Sequence, residues 1–263
     1  MNNQIVITLL SDFGDRHIYP AVMKGVICQI NPDVRMIDLT HQIPAQNIAA
    51  ARFCLMSAYY YFPVGTIHLA VVDPGVGSKR RAIAVKFSQG YLVGPDNGLF
   101  SGVLAQNPAI KAVELTNLNY WRTLQPSTTF HGRDIFAPVA AHLSKGVSLG
   151  DLGAEIDLES LVKLDIGQCD KIGNTITGCI QYIDDFGNLI SNIPASYIYG
   201  KNWCVKVGNL TIPNGETYSS VNPGKALALV GSHDFVEIAV NSGNAQTQLQ
   251  INWQDKIEVI LLD

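Results

Sequence analysis

Two short segments of this chain hold side chains whose types and spacing suit them to act on a bound water. In Val71-Val72-Asp73-Pro74-Gly75-Val76-Gly77-Ser78-Lys79-Arg80, an apolar run ends in a carboxylate, a glycine-rich turn follows, and a cation closes the segment. That order puts Asp73 at the C-terminal end of a strand, where α/β proteins assemble their sites. In Thr129-Phe130-His131-Gly132-Arg133-Asp134, a histidine precedes a helix that Asp134 can help to start through the N-terminal dipole. A histidine near a carboxylate can orient a water or shuttle its proton close to neutral pH. Plainer readings stand beside these: Asp73 closing a turn, Arg80 as a surface cation, His131 as a structural ring. Strand alternation sends Arg80 and Arg81 to opposite faces, so one of them faces a site.

Other candidates are more open. Asp12, between a strand and Phe13-Gly14, is placed to accept hydrogen bonds from both hydroxyls of a ribose, or else to cap a turn or helix. Asp184-Asp185-Phe186-Gly187-Asn188 interrupts a β-rich stretch, and reads either as a polar turn or as a group able to meet an amine and an adenine edge. The same ambiguity attaches to Gly231-Ser232-His233 and to Glu237 through Asn244, a cluster that includes Val240 and Asn241. His41, His68 and His142 read as packing or surface groups. The Asp73 loop matches neither a Walker motif nor a full G-x-G-x-x-G, which argues against a nucleoside-triphosphate site.

The elements that must position these residues alternate in type. An apolar run at residues 4–10 enters the Asp12 loop, and Val22, Val26 and Ile30 mark one face of the helix that follows. A strand at 34–39, a helix at 47–60 and a strand at 66–72 come next, then strands at 82–86 and 91–93, a turn at 94–98, a short helix, a strand near 112–115 and a helix after Arg133. This alternation predicts an α/β domain whose mostly parallel sheet is flanked by helices. From about residue 172 short β-rich runs take over, with a hairpin at Trp203–Val207 and Leu210–Ile212. The expected domains are 1–168, α/β, and 172–263, smaller and β-rich.

With 263 residues and 47% hydrophobic content, the chain can bury a sizeable core. Its net charge of -4 argues against nucleic acid as a partner. Five cysteines without a C-x-x-C pair indicate neither a zinc site nor a disulfide framework, which suits a reducing cytoplasm, and no run is apolar enough for a membrane span.

Read together, Ser11-Asp12-Phe13-Gly14, Met23-Lys24-Gly25, Val72-Asp73-Pro74-Gly75-Val76-Gly77, Gly94-Pro95-Asp96-Asn97-Gly98, Phe130-His131-Gly132-Arg133-Asp134, Asp185-Phe186-Gly187-Asn188 and Gly231-Ser232 with Asn241 resemble the S-adenosyl-L-methionine (SAM) hydroxide adenosyltransferase family, relatives of the SAM-dependent fluorinase and chlorinase. The resemblance spans nearly the whole chain. It implies an α/β amino-terminal domain, a β-barrel-like carboxy-terminal domain, and homotrimers with sites between subunits. It also implies hydrolysis of SAM to adenosine and L-methionine by in-line attack of water on ribose C5′, with SAM as substrate, no cofactor and no metal. Asp73, Arg80 and His131 would then order the water. Asp12 would hold the ribose hydroxyls, Phe130 and Gly132 the nucleoside side, Asp184 the methionine ammonium, Asn188 the adenine neighbourhood and Ser232 the methionine carboxylate. Glu237, Val240 and Asn241 would lie near the adenine, where backbone groups share the work. Two departures affect the ribose-side rim: His17 stands where many relatives carry an acid, and Pro20 enters the next helix. A SAM-dependent halogenase is the nearest alternative, and a SAM or adenosine sensor without turnover is the alternative of another class.

Overall fold

A computed structural model describes residues 5–262; Gln4, expected to begin the first strand, and the ends of the two expected domains lie outside them. The chain divides into two compact units between Leu164 and Asp165.

In the first unit, β1 (Val6–Ser11), α1 (Tyr19–Ile30), β2 (Arg35–Thr40), α2 (Ile48–Ala58) and β3 (Thr66–Val71) alternate as the apolar pattern predicts. They are followed by β4 (Ala82–Phe87), β5 (Gly90–Pro95), α3 (Ser101–Gln106), β6 (Lys111–Glu114), α4 (Ala137–Ser144) and β7 (Ala154–Glu155). Among the described residues these strands form one sheet in the order β2-β1-β3-β5-β4-β6-β7. Strands β2, β1, β3 and β5 run parallel, whereas β4 pairs antiparallel with β5 and β6. The antiparallel half has a simple cause: only Ser88 and Gln89 separate β4 from β5, and parallel neighbours need a crossover of a dozen residues or more.

The order around β1 is decisive for function. From β1 the chain crosses to β2 on one side and then returns past β1 to β3 on the other, so the ends of β1 and β3 flank a topological switch point. Crevices outside the carboxyl ends of strands at such points are where open α/β sheets take ligands. Asp12 immediately follows β1, and Asp73 follows β3 by two residues.

Helix α1 buries Pro20, Met23, Val26 and Ile27, while Val22 and Ile30 pack only partly against the same core. The buried stripe is therefore rotated from the 22/26/30 row read in the sequence, because the 23/27 row also faces the sheet. Met23 and Ile27 are each about fully buried, a gain of roughly 2 kcal/mol apiece. Pro20 lies in the first turn, where its missing N–H costs no helix bond. Helix α2 starts at Asn47, whose side chain accepts the Ala50 N–H at 2.9 Å.

The second unit comprises β8 (Asp170–Ile172), β9 (Thr175–Ile183), β10 (Leu189–Pro194), β11 (Asn202–Val207), β12 (Leu210–Pro213), β13 (Ala226–Val230), β14 (Phe235–Val240) and β15 (Lys256–Leu262). The main path is β12-β11-β15-β9-β10-β14-β13, with β8 beside β9, and a bridge from Asn214 to Ala228 brings its two ends together. The result is a nearly closed antiparallel barrel around Ile176, Ile180, Val205, Val236, Ile238 and Val259. The expected hairpin is present as β11–β12. No helix among the described residues is long and apolar enough to cross a membrane.

Candidate active site

The first unit carries a cleft of about 380 Å³ lined by Asp12, Phe13, Tyr19, Gln46, Asp73, Val76, Thr129, Phe130, His131 and Gly132, among others. Five of the residues expected from sequence therefore meet there, with Arg80 directly behind Asp73.

Asp12 is held from below. Ser11, fully buried, shares a 2.7 Å hydrogen bond between its Oγ and His41 Nδ1, and the Gly14 N–H donates to the His41 carbonyl at 2.7 Å. His41, which the sequence suggested as a packing or surface group, thus staples the loop that presents Asp12. The Gln46 N–H donates to Asp12 Oδ2 at 2.8 Å. A carboxylate engaged once in this way keeps lone pairs for a ligand's hydroxyls. Above it, Phe13, Tyr19 and Phe130 make an aromatic wall, with ring centroids 5.1 to 5.7 Å apart. Phe13, read only as part of the Ser11-Asp12-Phe13-Gly14 motif, and Tyr19 were given no site role from sequence; their signal was the placement of two aromatics around a polar loop.

Asp73, Arg80 and His131 form one connected group. Arg80 Nε donates to Asp73 Oδ1 at 2.9 Å and its Nη2 donates to Asp73 Oδ2, while the same Nη2 donates to His131 Nδ1 at 2.8 Å. The Asp73 and Arg80 side chains are 7% and 10% exposed, so the pair is desolvated enough for its orientation to matter. Arg80 also lies over the Phe136 ring at 5.2 Å. Arg81 turns to Asp96 at 2.5 Å and to Ser160, so only Arg80 of the two joins Asp73 and His131, although both precede β4 and lie outside the strand.

The electrostatics follow from this geometry. A guanidinium can only donate, so His131 Nδ1 must be the accepting nitrogen and the ring proton sits on Nε2. Burial lowers the His131 pKa, and the Arg80 charge lowers it further against the opposing pull of Asp73 and Asp134. The neutral ring is thereby favoured, and the nitrogen not facing Arg80 is a hydrogen-bond donor.

Two local features bring the separated segments together. Gly77 has φ +76°, and a Cβ there would lie 2.4 Å from the Thr128 carbonyl oxygen, so only glycine lets the Asp73 loop seat against the segment leading to His131. On the other side, Asp134 is completely buried and anchors that segment. It accepts from Arg122 Nε at 2.6 Å, from Arg133 Nε and Nη2 at 2.7 Å each, and from the Ser127 N–H at 2.9 Å. Burial works to raise its pKa, yet the bonds from Arg133, Ser127 and Arg122 outweigh burial and hold the carboxyl well below the usual range. The helix expected after Arg133 begins instead as a π-helical turn, Gly132–Phe136, continuing into α4. Such widened turns concentrate at functional sites because they re-aim neighbouring side chains.

The second unit has its own cleft, of about 610 Å³, lined by Phe186, Asn188, Tyr218, Val240, Ser242, Gly243 and Asn244. Among the expected residues, Asn188 and Val240 line it. Asp184 instead closes the turn beneath, its Oδ1 accepting from the Phe186 and Asn188 N–H groups and its Oδ2 from Asn188 Nδ2 at 2.9 Å. That turn projects Phe186, which is 77% exposed. Glu237 lies behind Tyr218, Asn241 donates through Nδ2 to the Val221 carbonyl at 2.7 Å, and Ser232 is exposed on the loop before β14. Tyr218 went unnoticed in sequence because it sits in a stretch of small polar residues with no pattern around it.

Known proteins match both units. The SAM hydroxide adenosyltransferase N-terminal domain matches residues 7–153, and the C-terminal domain of the same name matches residues 178–258. Relatives named (R)-S-adenosyl-L-methionine hydrolase include one from Salinispora tropica, 37% identical over 96% of this chain and 97% of its own, and one from Thermus thermophilus, 38% identical over 91% and 93%. A fluorinase from an Actinoplanes species is more distant, at 25% over 73% and 72%. The crystal structure of an uncharacterized conserved protein from Thermotoga maritima superposes with a TM-score of 0.89 at 35% identity, covering 97% of this chain and 99% of that one.

Proposed function

Because this chain belongs to the SAM hydroxide adenosyltransferase family, we propose that it is an enzyme hydrolysing SAM to adenosine and L-methionine, with Asp73, Arg80 and His131 activating the water. The observation that carries this reading is the single bonded group those three make at the floor of the switch-point cleft.

The chemistry balances without a cofactor. Water oxygen bonds to ribose C5′ as the C5′–S bond breaks, and the sulfur leaves with its electron pair as neutral methionine, needing no general acid. The surplus proton leaves the attacking oxygen. His131 Nε2–H donates to that oxygen and fixes its place, and Asp73, whose oxygens keep free lone pairs beside Arg80, accepts the proton. Arg80 holds the carboxylate so that reacting atoms stay collinear, a substantial source of rate in an in-line displacement. Asp12 takes the ribose hydroxyls, and Phe130 with Gly132 flanks the nucleoside.

The remaining substrate groups fall to the second unit: Asn188 and Val240 near the adenine, with Asp184, Ser232 and Asn241 contributing from the turn and loops, and Glu237 from the strand behind Tyr218. In our reading, a homotrimer completes each site with the second unit of a neighbouring copy, and the five free cysteines suit a reducing cytoplasm. A halogenase reading is disfavoured by Asp73, since two negative charges about 4 Å apart repel by roughly 4 kcal/mol at an effective dielectric of about 20, offset in part by Arg80.

Incubation with SAM in oxygen-18 water is expected to label the adenosine 5′-hydroxyl. Unlabelled adenosine excludes direct water attack, a 5′-halogenated nucleoside formed with added halide supports the halogenase, and SAM binding without turnover supports the sensor. The relatives' names specify the (R) sulfonium, and we extend that preference to this chain. Inversion at sulfur redirects the aminobutyrate arm while C5′ stays in line with the water, so cleft shape can choose the epimer. Following both epimers of a mixed SAM sample by chromatography checks it; equal consumption refutes the preference.

A further inference from the structure

Glu237 lies in the middle of β14, only 3% exposed, inside the wall of the barrel. An ionised carboxylate there is expensive unless its oxygens are bonded. Both are: Oε1 accepts from the Tyr218 hydroxyl at 2.9 Å, and Oε2 lies 3.2 Å from His233 Nε2. Space has been left for this arrangement. A Cβ on Gly231 would fall 2.6 Å from Glu237 Oε2 and 2.4 Å from the His233 ring, so a side chain at 231 would displace this pair from its present position. Tyr218 opens a single three-residue helical turn, Tyr218–Ser220, capped by Thr217, yet its ring is 45% exposed and lines the second-unit cleft. Its hydroxyl bond to Glu237 reaches from this short turn into the barrel wall. Burial first, then the bond to Glu237 and the charges of Glu237 and Asp184, push the phenol up to about 12, which keeps it a donor throughout the working pH range.

We propose that the Glu237 carboxylate is a positioning group: engaged by Tyr218 and His233 and outside the lining of the cleft, it acts by fixing the Tyr218 ring as one wall of the cleft that receives the planar base of the nucleoside. This rests on the SAM-hydrolase reading above. Its consequence is a defect of binding and not of chemistry, because the water-activating group is built from residues of the first unit.

The test is a kinetic comparison of Tyr218→Phe, Glu237→Gln, Glu237→Leu and the double variant Tyr218→Phe/Glu237→Leu. Tyr218→Phe and Glu237→Leu are each expected to raise KM for SAM roughly 3- to 10-fold, the size of one lost hydrogen bond, with kcat changed by less than about 2-fold. Glu237→Gln, which can still accept from the phenol, restores KM to within about 2-fold of the parent, and the double variant is no worse than the poorer single one. Additive losses, a fall in kcat matching the change in kcat/KM, or a Tyr218→Phe variant with unchanged KM overturns the proposal. Tyr218→Phe and Glu237→Gln preserve packed volume, so they decide the matter even where Glu237→Leu does not fold. Adenosine affinity by calorimetry must follow the same ranking. Since it needs no turnover, a protein that binds adenosine with this ranking but leaves SAM intact fails the hydrolase reading alone.

Discussion

At the scale of single residues, the consequential contact is a guanidinium donating to a histidine ring. It assigns the proton of His131 to Nε2 and makes the ring a donor, and in the proposed reaction Asp73 is then the proton acceptor of the group. Asp73→Asn is therefore expected to lower kcat by about 10²- to 10⁴-fold while SAM affinity changes far less, a split read from steady-state kinetics and binding. Arg80→Lys removes the two-point grip and should also act on kcat, since an ammonium cannot reproduce the fork. The pH dependence has a definite sign. The folded pKa of His131 lies below the 6.5 of an unperturbed histidine, so the neutral form, and the stability gained from it, is fully present above 6.5 and lost as pH falls through the lower folded value. The acid limb governed by His131 is expected below pH 6.5, and NMR titration of its ring should show the value rising when Arg80 is replaced by alanine. A His131 titration at or above 6.5 in the parent protein contradicts this protonation scheme.

At the scale of elements, the site depends on two loops that share no sequence neighbourhood. Asp134 ties the 127–134 segment through Arg122, Arg133 and the Ser127 N–H, and Gly77 lets the Asp73 loop reach it. Asp134→Asn should cost about 3 kcal/mol in denaturant unfolding at neutral pH, because charge-assisted bonds inside the protein are lost. Since the folded pKa of Asp134 is depressed, its contribution is present above the ordinary carboxylate range and disappears as pH falls below about 4, so the gap between parent and variant should narrow there. A gap that stays constant with pH means the charge of Asp134 contributes little. Gly77→Ala should lower kcat more than it lowers thermal stability, because the strain falls on the loop carrying Asp73 and the core is untouched.

For the whole molecule, the two clefts lie in different compact units, and the proposed reaction assigns the chemistry to the first and the rest of the substrate surface to the second. A homotrimer with shared sites makes a strong prediction. Assayed at SAM concentrations well below KM, Asp73→Asn and Tyr218→Ala proteins, each feeble alone, should regain activity when unfolded and refolded together, reaching roughly one quarter of the parental rate if copies assort at random. No recovery, in material shown by light scattering to be mixed trimers, means that each copy completes its own site.

Much of this was legible in the chain itself. Periodicity located β1, α1, β2, α2 and β3, the hairpin β11–β12 and the change to β structure in the second unit, because local apolar spacing is what makes those elements. Motifs marked Asp12, Asp73, Arg80 and His131, since strand ends followed by glycine-rich turns leave a local trace. What sequence could not decide was everything set by contacts between distant segments: the antiparallel β4 and β6, the His41 staple under Asp12, the proton on His131, and the seclusion of Glu237 behind Tyr218. Each depends on where a partner far along the chain comes to rest, and only packing the sheet and closing the barrel specify that position.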